Sequence, residues 1–95
     1  MDKNEHDLNA VFAAANKAGQ IVAGASPSIE YDETGPTRAV LPLIAETKTM
    51  KRGDLVRLTI PETGEALSAR VTQVMRPDIV GNSGTLGVEM HFEPL

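Results

Sequence analysis

Residues 54 to 75 carry two short alternations of apolar and polar side chains on either side of a turn, and this pattern limits the fold more than any other feature. Val56, Leu58 and Ile60 occupy every second position with Arg57 and Thr59 between them, and after "PETGE" the pattern resumes with Leu67, Ala69 and Val71. A period of two belongs to a strand with one buried face. Two such runs around Gly64, which can take positive φ, predict a hairpin. Val71 and Val74 stand three apart, so the parity changes, and a bulge or a coil is expected in the second strand. The last run, "TLGVEMHFE", sets Leu86, Val88, Met90 and Phe92 against Gly87, Glu89, His91 and Glu93. The C-terminal half therefore reads as a three-stranded meander with one apolar face in need of cover.

The cover is predicted at the other end of the chain. Leu8, Val11, Phe12, Ala15, Ala18 and Val22 recur at spacings of three and four, which paints a stripe along a helix over about residues 5–23. Asp2, Glu5 and Asp7 suit the positive end of its dipole, and "GASP" stops it. Residues 24–37 are read as a flexible segment with a weak strand at Ile29 and Tyr31, mobile at 32–37, where Pro, Gly and Asp cluster. "RAVLPLIA" at 38–45 is apolar on both faces, but Pro42 lacks a ladder donor, so an edge or bulged strand is expected. Residues 46–53 and 76–84 are expected to be connections. The whole predicts one α+β domain over 1–95: an N-terminal helix packed on a small curved antiparallel sheet or partly open β-barrel, with the β-meander at 38–95. Phe12, Phe92 and Tyr31 are the only aromatic residues, so the core must be aliphatic, and Phe12 and Val56 are expected to meet in it.

Composition narrows the function. A formal charge of −4, with acids and bases interspersed, repels a phosphate backbone and provides no basic block, so nucleic-acid specificity is not expected. There is no cysteine, hence no disulfide framework or thiolate chemistry. No apolar run approaches the ~20 residues of a membrane span, and "MDKNEHDLNAVF" is acidic where a signal peptide is basic and then apolar. A chain made in the cytoplasm is the expectation.

Few groups carry chemistry. Glu89, His91 and Glu93 fall at i, i+2 and i+4 and share a strand's outer face, where they could hold a cation weakly, although a solvated face is the favoured reading. His6, the one other imidazole, lies far off in sequence. "GNSGTLG" precedes a strand where a phosphate cradle needs a helix, so it reads as a turn. Ser26, Ser28, Ser68 and Ser83 have no nucleophile-elbow context and no histidine base nearby. No enzyme and no cofactor is expected. Arg52-Gly53-Asp54 matches the tripeptide that integrins read, but it sits where a connection must reverse into Leu55, and a turn is the expectation.

With "FAAANKA" at 12–18, "KRGDLVRLTI" at 51–60 and "ARVTQV" at 69–74, the chain resembles phage head-tail joining proteins of the lambda FII type. That family has an N-terminal helix, a flexible segment, and an R-R-G-D-x-L-x-I turn and strand leading through a hairpin. "IPETGEAL", the Pro42 strand and the "LGVEMHFEPL" end depart from the family's pattern. The resemblance implies a structural virion protein of the phage neck, made in the host cytoplasm. Such a protein joins the portal or adaptor of the head to the tail proteins, is a monomer when free and forms a ring with its own copies on assembly. Asp32, Glu33, Thr34, Arg52 and Asp54 are the expected partner interface. Two alternatives stand beside it. "LGVEMHF" resembles the last strand of PilZ domains, which bind cyclic di-GMP, but the arginine pair and the Asp/Asn-x-Ser-x-x-Gly signature are missing. "KRGDLVRLTIPETGEALSARV" is similar to the β-clip region of flagellar P-ring chaperones.

Overall fold

The computed structural model of the chain describes residues 5–21, 27–75 and 87–95. A short strand β1 (Glu5–Asp7) runs into helix α1 (Leu8–Ile21), and β2 (Ser28–Asp32) and β3 (Gly35–Pro42) form a hairpin. A one-turn helix α2 (Ala45–Lys48) leads to β4 (Leu55–Thr59), β5 (Ala66–Met75) and β6 (Gly87–Pro94). The six strands make one mixed sheet in the order β1-β4-β5-β6-β3-β2. All neighbours are antiparallel except β1, which runs parallel to β4 with His6 opposite Val56.

The meander is present as β4-β5-β6, and Leu58 pairs with Leu67 across the hairpin. Its turn is closed by the Ile60 N–H to the Glu65 carbonyl at 2.8 Å, with Gly64 at φ +73. The parity change is a bulge at Thr72: Val71 faces Phe92 while Gln73 already faces His91. The extra residue returns Val74 to the inner face, where it packs against the core.

Upstream of the meander the structure departs from the expectations in three places. Residues 5–7 are a strand, and the helix starts at Leu8. Pairing with β4 gives these residues' backbone groups partners, and the Asp7 carboxylate then accepts the Asn9 N–H at 3.0 Å, capping the helix it was expected to lie within. Residues 32–37 are not a loop, because Glu33 and Thr34 alone turn the chain between β2 and β3. β3 is not an edge, since it lies between β6 and β2, but it is bulged: Glu30 faces Arg38 while Tyr31 already faces Pro36, which leaves Thr37 as the extra residue, and Pro42 is tolerated because it stands at the strand's last paired position, opposite Gly87. The sheet is mixed and does not close into a barrel, and its edges are β1 and β2. The connection expected at 46–53 holds most of α2, while the whole of that expected at 76–84, and the end of the expected helix at Val22 and Ala23, lie outside the described residues.

One face of the sheet is covered. Val56, Leu58, Ala69, Val71, Val88, Met90, Phe92, Ala39 and Leu41 point inward, and α1 lays Leu8, Val11 and Ala15 on them. Val56 is fully buried, whereas Phe12 packs at the rim of the core. Met50, in the connection after α2, fills the core completely buried. The sheet also coils on itself. The start of β3 crosses over β5, where a Cβ on Gly35 would lie 3.4 Å from the Ser68 carbonyl oxygen, and Gly35 takes φ +139, a conformation that L side chains rarely adopt.

Leu8 is 1 % exposed and anchors the first turn of α1 to the sheet. Leu8→Ala is expected to cost about 2–5 kcal/mol in a urea titration. A cost under ~1 kcal/mol would mean that the helix does not seat on the sheet.

Candidate functional site

The "KRGD" stretch is a turn stitched to β5. The Gly53 N–H donates to the Val71 carbonyl at 2.8 Å, the Val71 N–H returns to the Asp54 carbonyl at 2.9 Å, and the Asp54 N–H donates to the Lys51 carbonyl at 3.1 Å. Gly53 takes φ +96, and a Cβ there would meet nothing within 4 Å, so the glycine is required by backbone conformation and not by space. The two charges part company. Arg52 is exposed, while Asp54 is 3 % exposed. Its Oδ2 accepts the Lys51 N–H at 3.1 Å and lies 2.9 Å from Nε2 of His6 on β1. Against a carboxylate acceptor that nitrogen carries the proton. The Asp54 carboxylate, expected at a partner interface, thus faces into the fold and ties the first strand to the turn.

Asp32, Glu33 and Thr34 come together at the exposed tip of the β2–β3 hairpin. Asp32 Oδ1 accepts the Thr34 hydroxyl at 2.6 Å and the Thr34 N–H at 2.8 Å, and these donors hold the Asp32 carboxyl below the usual carboxylate range. No hydrogen bond or ion pair among the described residues joins this tip to Arg52.

The outer face of the sheet carries a row of ion pairs. Arg38 Nε donates to Glu89 Oε2 at 3.0 Å and its Nη1 reaches Glu30 Oε2 at 3.4 Å, while His91 Nε2 lies 2.9 Å from the same Glu89 oxygen. Glu93 pairs with Arg70 at 3.5 Å. The three residues considered for a cation therefore do share a face, but neighbouring arginines take their carboxylates. Among the described residues, no group of three His, Asp or Glu side chains is placed to hold a metal. The Arg38 bond, with His91 behind it, holds the Glu89 carboxyl below its ordinary value of 4.5.

An apolar cleft of about 160 Å³ lies between α1, β2 and the β4–β5 turn, lined by Phe12, Ile29, Tyr31, Leu58, Ile60 and Pro61 with Asn9 and Thr59. The Asn9 amide is clasped to the Thr59 backbone: Nδ2–H donates to the Thr59 carbonyl at 2.9 Å, and Oδ1 accepts the Thr59 N–H. Neither this cleft nor the His6–Asp54 bond is visible in the sequence, since each joins residues about fifty positions apart with no local pattern to mark them.

No helix among the described residues is long and apolar enough to cross a membrane. In comparison with known proteins, the chain matches no family profile, no curated protein and no solved structure.

Two outcomes follow from this geometry. Asp54→Ala removes the acceptor of the part-buried Lys51 N–H and of His6 Nε2, and is expected to cost about 1–3 kcal/mol; Arg52→Ala is expected to stay within ~0.5 kcal/mol. Thermal melts of the two variants check the order, and equal losses would contradict it. Because the folded-state pKa of Glu89 is lowered, its contribution to stability is fully present above 4.5 and is lost as the pH falls through the lowered folded value. A carboxyl-carbon NMR titration should show Glu89 titrating below 4.5 and moving back toward it in Arg38→Met.

Proposed function

We propose that the chain is a structural connector of a phage neck, which joins the portal or adaptor of the head to the tail by protein–protein contacts and without catalysis. The observation that carries this reading is the open sheet: β1 and β2 each have one strand neighbour among the described residues, and each offers a row of backbone groups to a neighbouring molecule. The elements that carry the likeness to head-tail joining proteins support it. "FAAANKA" lies on the helix that covers the sheet, and "KRGDLVRLTI" supplies the turn and strand to which the N-terminal strand is tied. An assembly role also fits a fold whose polar groups are largely engaged with one another on the outer face.

In this reading the free chain is a monomer that forms a ring with its own copies on the head. The test is joining in vitro, with heads and tails purified separately from particles that lack the chain. Adding the chain should restore infective particles, and the chain should sediment with heads before tails are added. Full joining in its absence, or a chain that stays at the top of the gradient, would overturn the proposal.

A further inference from the structure

We infer that β2 accepts an extended, basic segment of a partner protein, which pairs along its free edge and seats one apolar side chain in the cleft beside it. The inference rests on the assembly reading and gives its partner a chemistry.

Three observations converge on this edge. Backbone pairing comes first: among the described residues β2 has β3 as its one strand neighbour, so alternate N–H and C=O groups from Ser28 to Asp32 point away from the sheet. Next to that edge lies the cleft, and Ile29 and Tyr31 of β2 itself form one of its walls. A segment paired on β2 alternates its side chains as β2 does, so every second one falls on the cleft side. At about 160 Å³ the cleft is smaller than the ~300–1,000 Å³ of small-molecule pockets and suits a single side chain. The Asn9 amide and the Thr59 backbone satisfy each other, and the other walls are mainly apolar side chains, so the guest is apolar.

Charge then selects the partner. Glu30, Asp32 and Glu33 lie along the strand and its tip; the Glu30 side chain is 63 % exposed, and the Thr34 donors keep Asp32 ionised. Arg38 is the cation that reaches Glu30, and it is shared with Glu89. A segment with Lys or Arg between its apolar residues complements this edge. A second copy of the chain does not. Antiparallel pairing of two β2 strands centred on Glu30 or on Tyr31 sets carboxylates opposite each other, and β1 at the other edge carries Glu5 and Asp7.

The test uses nine-residue synthetic peptides and amide NMR of the full chain. One peptide alternates Lys with Val around a central Leu, one replaces each Lys by Glu, and one keeps the Lys sequence but is N-methylated at alternate residues on the edge that would pair. The Lys peptide should shift the amides of Ile29 to Asp32 together with those of Phe12 and Leu58. Affinity should fall at least tenfold for the Glu peptide and for the N-methylated one, and Tyr31→Ala should weaken binding of the Lys peptide with the rest of the amide spectrum unchanged. Shifts confined to the outer face, equal binding of the Lys and Glu peptides, or undiminished binding of the N-methylated peptide would overturn the inference. A chain that takes the peptide on β2 yet fails to join heads to tails keeps this inference and loses the connector reading. A chain that joins them but ignores the peptide does the reverse.

Discussion

The fold depends on one burial: Leu8, Val11 and Ala15 of α1 against the inner face of the curled sheet. The side chains inside are aliphatic and methionine, with Phe92 as the one aromatic among the buried core residues. Small side chains such as Ala15, Ala39 and Ala69 let the helix and the strands approach closely. A core of this kind has no large ring to set its packing, so shape complementarity among methyl groups decides its uniqueness.

Polar groups complete what the helix begins. The Asp54 carboxylate, buried where β4 starts, holds both the turn and His6, so a side-chain bond adds to the backbone pairing that sets the N-terminal strand beside β4. Gly53 makes that inward turn possible, and its N–H fastens the turn to β5. On the opposite face, Arg38 stands between Glu30 and Glu89 and links three strands, β2, β3 and β6. These surface pairs give register more than stability.

The meander was legible because its evidence is local. Alternation, the positive-φ Gly64 and the spacing of Val71 and Val74 each depend on residues within one hairpin. The helix was legible for the same reason, though its start was not: Glu5 and Asp7 look alike in a first helical turn and in a strand beside β4, and only the distant partner decides between them. Proline and glycine misled at 35–42, where Gly35 serves a crossing of strands and Pro42 ends a ladder instead of marking a loop or an edge. At the candidate site, the exposed hairpin tip and Arg52 lie on the surface as the reading required. Asp54 does not, because burial of a carboxylate is set by a histidine 48 positions away. The apolar cleft follows from the curl of the sheet, which no short window of sequence encodes.

The molecule is a helix-covered sheet, rigid at its centre and open along β2 among the described residues. Native-state amide exchange of the free chain tests this most directly. It predicts that the amides of Val11, Ala15, Val56 and Val71 exchange only with global unfolding, with one common free energy, while the outward-facing amides of β2 exchange far faster. Exchange of α1 well below the free energy of the strands, or protection of every β2 amide equal to that of β4, would contradict it.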